Sequence, residues 1–158
     1  MELKRVVVTG LGALTPIGNT VEEYWNGLVN GVSGANLITR FDASKHKTQF
    51  ACELKNYDPG KYFDRKEVKK LDPYAQYAII AADEAIADSG LISSAVNKDK
   101  VGVIIASGIG GIDTFLQETR SFVLGDGTPK VSPFFVPKMI CDIAAGHVAM
   151  KYGFRGPN

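Results

Sequence analysis

Cysteine and histidine are scarce in this sequence, which has two of each among its 158 residues. Cys52 and Cys141 form no CxxC pair, so a disulfide framework and a structural zinc site of clustered thiolates are excluded. Two histidines are also too few for a typical His-based metal site. We therefore expect neither a metal site nor a cofactor.

An excess of one charge and a long apolar run are also lacking. Lys and Arg number 18 and Asp and Glu 17, which excludes the broad basic field of many nucleic-acid-binding proteins. No apolar run approaches the ~18 residues that a membrane span needs. The early run Val6-Val7-Val8 is too short for the core of a signal peptide. The sequence predicts one cytoplasmic domain with neither nucleic acid nor a membrane as its partner.

Short β-branched runs alternate with helical patterns, and this alternation predicts an α/β fold with a largely parallel sheet. Thr20 and Glu23 form a capping-box pattern before one helix, and Asp72 is expected to cap another. Residues 32–70 are less regular and are interpreted as a cap or insertion over the sheet. The predicted elements are strands over 5–9 and 101–106 and helices over 21–30, 73–88, 112–122 and 137–152.

Two motifs that would carry chemistry are incomplete. Gly10 and Gly12 follow a predicted strand, but Thr15 replaces the third glycine of a dinucleotide-binding loop, which favours a tight turn. Ser107 ends a predicted strand where a nucleophile could lie, but Ile105 and Ile109 replace the flanking glycines of a nucleophile elbow. The sequence therefore shows no nucleophile of these classes.

Cys141 and His147 invite comparison with a thiolate–imidazole dyad. Six residues along a helix correspond to about 240° of rotation, so the two side chains are predicted to diverge. We interpret His147 as a core histidine and Cys141 as an inert packing residue. Cys52 has no recognisable partner.

A basic cluster and an aromatic segment stay open to two interpretations each. The cluster is either a solvated face compensated by Asp64 and Glu67 or a docking surface for an acidic partner. The segment Pro133-Phe134-Phe135-Val136-Pro137 is either core or the lining of an apolar pocket or subunit interface. The cluster consists of Lys61, Arg65, Lys66, Lys69 and Lys70.

Several motifs occur in an order that resembles the β-ketoacyl-acyl-carrier-protein synthases. They are Val6-Val7-Val8-Thr9-Gly10-Leu11-Gly12, Thr15-Pro16-Ile17-Gly18-Asn19, Ser107-Gly108-Ile109-Gly110-Gly111, Ser132-Pro133-Phe134-Phe135-Val136-Pro137, Ala145-Gly146-His147 and Tyr152-Gly153-Phe154-Arg155-Gly156-Pro157. The resemblance covers essentially the whole chain. Ile109 and the Ser-Pro-Phe-Phe-Val-Pro segment favour synthase II over synthase I of type II fatty-acid synthesis, with polyketide ketosynthases as the alternative.

The resemblance implies a thiolase-like fold of layered α/β/α/β/α type and a homodimer. It implies decarboxylative Claisen condensation, with acyl and malonyl groups delivered by acyl carrier protein. It further implies that residues 1–158 are the N-terminal half of the domain and that the nucleophilic cysteine, two histidines and a lysine lie beyond Asn158. We then expect no catalytic residue in this chain. A non-catalytic domain that binds carrier protein or a partner synthase is the second hypothesis.

Two sets of binding residues follow from the resemblance, residue by residue. Gly108, Ile109, Phe134 and Phe135 correspond to the acyl pocket, with Ile109 near its gate. Lys66, Lys69, Lys70 and Lys130 correspond to the positively charged face that meets the acidic carrier protein.

Overall fold

The computed structural model describes residues 4–128 and 130–158. Within these ranges the α-helices are α1 (Val21–Val29), α2 (Arg65–Lys70), α3 (Pro73–Asp88), α4 (Ile112–Leu124), α5 (Phe135–Met139) and α6 (Ile143–Tyr152). Two-residue strands β1 (Asn36–Leu37) and β2 (Phe50–Ala51) pair antiparallel. No helix in the described part of the chain combines the length and apolarity that a membrane span requires.

The chain forms two compact units. One comprises residues up to Tyr57 together with Asp83–Ser93, and the other comprises Asp58–Ala82 and Ser94–Asn158. The interpretation of residues 32–70 as a cap, and of residues 1–158 as one part of a larger domain, stays a prediction.

Side-chain carboxylates hold the loop before α1 in the first unit, and Glu84 binds this loop at two points. Glu84 accepts hydrogen bonds from the backbone N–H groups of Ala13 and Val21, both at 2.8 Å. Gly10 lies against the same stretch of α3, because a Cβ there would stand 2.2 Å from the Ala85 carbonyl oxygen. Close backbone contact with α3 therefore accounts for Gly10, and the tight turn stays a prediction.

Regular strands do not form over 5–9 and 101–106, and these two predictions are wrong at the level of local structure. The side chains of Val6 and Ile104 are 90% and 92% exposed. β-branched residues favour extended backbone, but a strand also needs a neighbour that supplies ladder hydrogen bonds. Val103 instead donates its N–H to the Pro157 carbonyl at 2.9 Å. The β1–β2 pair is the sheet present among the described residues.

The helices around Asp72 and Ile112 begin where the sequence predicts. Helix α3 starts at Pro73, and the Asp72 carboxylate accepts the Tyr74 N–H at 3.3 Å. Helix α4 starts at Ile112 and runs two residues beyond the predicted end. The buried apolar side chains of the second unit come largely from the first half of α3, from α6 and from short flanking segments. They include Phe63, Leu71, Ala75, Ile79, Ile80, Val103, Ala144, Ala145, Val148, Ala149 and Phe154.

The predicted helix over 137–152 is wrong, because the segment is divided between α5 and α6. Residues 140–142 interrupt it, and Ile140 is extended at φ −64° and ψ 137°. Two carbonyls that a continuous helix would use are bonded elsewhere. Met139 accepts the Gly111 N–H at 2.9 Å, and Ile140 accepts the Tyr74 hydroxyl. Tertiary hydrogen bonds therefore replace the helical ladder at this point.

Gly153 ends α6 in the left-handed conformation, at φ 70°. We expect Gly153→Ala to lower the free energy of unfolding by about 1 kcal/mol, because L-residues are strained there. The matched control is Gly146→Ala inside α6, where a Cβ finds ordinary contacts at 3.7 Å or more. That change is expected to raise stability by up to ~1 kcal/mol. Urea denaturation measures the change in the free energy of unfolding for both variants. Changes of the same sign in the two variants would contradict the prediction.

Candidate functional site

The glycine-rich loop over 107–111 is held by backbone hydrogen bonds. The Ser107 hydroxyl oxygen accepts the Gly110 N–H at 2.9 Å, which gives this serine a structural role. Gly110 adopts φ 79°, and Gly111 donates its N–H to the Met139 carbonyl at 2.9 Å. A Cβ on Gly111 would lie 2.2 Å from the Lys138 carbonyl oxygen. The loop therefore rests directly on the end of α5.

An apolar cavity of about 610 Å³ lies beside this loop. Its walls come from the loop, the first turns of α4 and the break between α5 and α6. The lining residues are Ile109, Gly111, Ile112, Phe115, Met139, Ile140, Cys141 and Asp142. A volume of this size and an almost wholly apolar lining suit an aliphatic chain.

The four predicted acyl-pocket residues hold different positions around this cavity. Ile109 lines it directly, and Gly108 is exposed next to Ile109 in the loop. Phe135 stacks on the lining residue Phe115, with ring centroids 6.5 Å apart. Phe134 is exposed, and the ammonium group of Lys70 lies over its ring, 5.8 Å from the ring centroid. The structure thus brings Ile109 and Phe135 to the cavity and places Phe134 beside α2.

The predicted docking lysines Lys66, Lys69 and Lys70 are all exposed on α2. Asp64 caps this short helix by accepting the N–H groups of Lys66 and Glu67 at 2.7 and 2.8 Å. The Glu67 carboxylate in turn accepts a hydrogen bond from the Asp64 N–H at 3.0 Å, and the two residues together form a capping box. The carboxylates of Asp64 and Glu67, the acidic groups next to these lysines, thus bind backbone N–H groups at the start of the helix.

Lys130, the fourth predicted docking residue, is exposed in the loop after α4. It follows Pro129, which lies outside the described residues, and its N–H donates to the Thr128 carbonyl at 2.9 Å. Nearby, hydrogen bonds from Thr128 hold the pKa of Asp126 below its usual value.

Comparison of the sequence with models of known protein families identifies the family to which this chain, with its loop, cavity and basic helix, belongs. The model of the beta-ketoacyl synthase N-terminal domain matches residues 3–158. The chain belongs to the beta-ketoacyl synthase family.

Relatives of this ketosynthase chain are similar along its full length. The 3-oxoacyl-[acyl-carrier-protein] synthase 2 of Synechocystis sp. is 45% identical over 158 residues, covering all of the chain and 38% of that protein. The proteins of the same name from Coxiella burnetii and Staphylococcus aureus are each 44% identical. The chain therefore spans about 38% of the length of the first two relatives.

Solved ketosynthase structures confirm the thiolase-like fold class. The ishigamide ketosynthase/chain length factor superposes with a TM-score of 0.77 at 26% identity, over 96% of the chain and 38% of that protein. A type II PKS acyl-carrier protein in complex with its ketosynthase gives a TM-score of 0.77 at 24% identity, over 97% of the chain and 40% of that structure's chain. The ketosynthase chain matches the N-terminal portion of these structures.

Cys141 and His147, which the sequence analysis compared with a catalytic dyad, line different cavities of this ketosynthase chain. Cys141 is exposed and lines the 610 Å³ cavity, so its interpretation as a packing residue is wrong. The break after α5 exposes the thiol that a continuous helix was expected to pack. His147 is half-buried and lines a cavity of about 450 Å³ with Lys70 and Lys151. Burial lowers the pKa of His147. Cys141 lies outside α6, so the predicted divergence by rotation along one helix does not apply, and the two residues line different cavities.

The most buried polar contact of this ketosynthase unit was not found from the sequence. The Asp72 side chain is 2% exposed and that of Thr114 is 4% exposed. The Asp72 carboxylate accepts the Thr114 N–H at 2.9 Å and the Thr114 hydroxyl at 2.7 Å. No local signal could reveal the pair, because 42 residues separate its members.

Tyr74 lies beside this pair and fixes the break between α5 and α6. Burial, followed by the negative charge of Asp72, raises the pKa of Tyr74 to about 12. The phenol therefore stays protonated at neutral pH and can donate to the Ile140 carbonyl. This donor supports one wall of the cavity in the ketosynthase.

Proposed function

We propose that this chain supplies an acyl-pocket wall and the docking face of a 3-oxoacyl-[acyl-carrier-protein] synthase II. The enzyme would elongate acyl chains in fatty acid biosynthesis by decarboxylative Claisen condensation with malonyl-acyl-carrier protein. The observation that carries the proposal is the apolar cavity beside Ile109, in a chain 44–45% identical to synthases of that name.

The proposed chemistry assigns binding, and no catalytic step, to the residues of this chain. In the reaction, an acyl group passes from a carrier-protein thioester to an enzyme thiol. The malonyl thioester then loses carbon dioxide, and the resulting carbanion attacks the acyl carbonyl, forming a carbon–carbon bond and releasing the enzyme thiolate. Cys141 lines the cavity, and we assign it contact with the acyl chain and no thioester.

The proposed partner is acyl carrier protein bearing acyl or malonyl groups. Support comes from Lys66, Lys69 and Lys70, whose exposed ammonium groups share one short helix while the adjacent carboxylates cap its start. A solved neighbour that shares the fold is described as an acyl-carrier protein in complex with its ketosynthase. A homodimer and a cytoplasmic location complete the proposal. The 45% identity to a 3-oxoacyl-[acyl-carrier-protein] synthase 2 favours the fatty-acid pathway.

Cys141 offers a direct test of the cavity in the chain of residues 1–158 with Cys52→Ser, because it is then the single thiol among these residues. We expect dodecanoic acid to slow its alkylation by iodoacetamide several-fold, because an aliphatic chain in the cavity shields the lining thiol. Ile109→Trp should remove this protection by filling the cavity. Mass spectrometry of the alkylated fraction over time gives both rates.

The matched control for this test is Ile92→Trp, at an exposed position in the other unit, which should leave protection intact. Hexanoic acid, which fills less of the cavity, should protect poorly. Equal protection by both acids, or protection that survives Ile109→Trp, would contradict an acyl cavity at this place.

A further inference from the structure

Helix α4 begins without a capping side chain of its own. Its N-cap is Gly111, which makes no side-chain hydrogen bond. A capping side chain at that position would displace α5, because its Cβ would lie 2.2 Å from the Lys138 carbonyl oxygen. The first N–H groups of a helix need acceptors from elsewhere when the N-cap residue supplies none.

Asp72 supplies that acceptor from a distant part of the chain. One carboxylate oxygen, Oδ2, accepts both the N–H and the hydroxyl of Thr114 in the first turn of α4. The other oxygen, Oδ1, accepts the Tyr74 N–H at the start of α3. One buried carboxylate therefore joins the starts of two helices.

The two helix starts adjoin the two proposed binding surfaces. Thr114 lies between the cavity-lining residues Ile112 and Phe115. Asp72 follows Lys70 by two residues, and the intervening Leu71 is only 8% exposed. The chain between the docking helix and the carboxylate is thus short and buried, with little freedom to move independently.

We propose that Asp72 and Thr114 form a positioning pair that fixes the acyl-cavity wall to the end of the docking helix and thereby sets the affinity of the cavity for an acyl chain. This inference rests on the proposed function. Neither residue lines the cavity, so the pair acts through Ile112 and Phe115. Loss of the Thr114 hydroxyl removes one of the two hydrogen bonds that hold the first turn of α4 to Asp72 and so loosens the wall.

The experiment uses the 158-residue chain with Cys52→Ser and measures the dodecanoic acid concentration that halves the rate of Cys141 alkylation. Thr114→Val removes the hydroxyl donor while keeping the side-chain shape. We expect the half-protecting concentration to rise about tenfold, which is the lower end of the factor for losing one hydrogen bond to a charged group. Thr114→Ser keeps the donor and should restore the concentration to within about twofold.

Two controls separate positioning from general destabilisation. Thr119→Val makes the same substitution at an exposed site on α4 and should change nothing. Gly153→Ala lowers stability in the same unit at a residue outside the cavity lining and should also leave the concentration unchanged.

The outcomes distinguish the inference from the function on which it rests. Absence of protection in the parent chain would overturn the acyl cavity itself. Protection that is normal in the parent and equally strong in Thr114→Val would overturn the positioning pair alone. A rise that Thr114→Ser does not reverse, or that Gly153→Ala reproduces, would also overturn it.

Discussion

Gly111→Ala is expected to lower the free energy of unfolding by about 3 kcal/mol, the upper range for overpacking a buried site. The new Cβ would lie 2.2 Å from the Lys138 carbonyl oxygen and 2.9 Å from the Met139 Cα. Both are backbone atoms of α5, so relief requires the loop and the helix to separate. Separation would break the hydrogen bond from the Gly111 N–H to the Met139 carbonyl. Urea denaturation followed by circular dichroism measures the loss.

The same loop provides the control for this prediction. Gly108 is exposed, has no positive φ, and a Cβ there would meet nothing within 4 Å. Gly108→Ala should therefore change stability by no more than about 0.5 kcal/mol. If the two variants unfold at the same urea concentration, the close approach of Gly111 to α5 is not what the geometry indicates.

Reversal of charge at Lys66, Lys69 and Lys70 is expected to weaken binding of acyl carrier protein roughly 100-fold at low ionic strength. All three ammonium groups are exposed, and substitution to glutamate reverses the charge of the proposed docking surface from attractive to repulsive. The effect should shrink as salt is added, because screening weakens the attraction in the parent and the repulsion in the variant. Isothermal titration at two salt concentrations measures both trends.

A control triple variant carries the same change of net charge at exposed lysines elsewhere, namely Lys45, Lys47 and Lys100. It should weaken binding by less than about threefold, through the long-range field alone. Equal losses in both triple variants would show that overall charge, and not the α2 surface, governs the association.

Helix starts were predictable because their signals are local. Asp72 and Pro73 lie next to each other and define the start of α3, and Gly153 marks the end of α6. The interruption at 140–142 was not predictable, since it depends on the Tyr74 hydroxyl, which is 66 residues from its acceptor Ile140. The reciprocal box of Asp64 and Glu67 was also missed, and the one predicted at Thr20 forms only in part. The Thr20 hydroxyl accepts the Glu23 N–H, while the Glu23 carboxylate binds the Asn19 N–H.

In the candidate site, too, some residues were predictable from the sequence and others were not. Ile109 was found through a resemblance of motifs, and the structure places it in a cavity whose opposite wall, including Cys141, comes from the unforeseen break. The strands over 5–9 and 101–106 failed because residue type favours extended backbone without supplying a pairing partner. The features that could not be predicted from the sequence are contacts between residues that lie far apart along the chain.

Because Glu84 accepts two backbone hydrogen bonds at once, few other residues can replace it during evolution. Aspartate is one methylene shorter, and glutamine replaces one acceptor with an NH₂ group that would face a backbone N–H. Only a glutamate-length carboxylate presents two oxygens to Ala13 and Val21 together. Homologous chains that keep this loop should therefore keep the acid, and a lineage that loses it should show a rebuilt loop between these two residues.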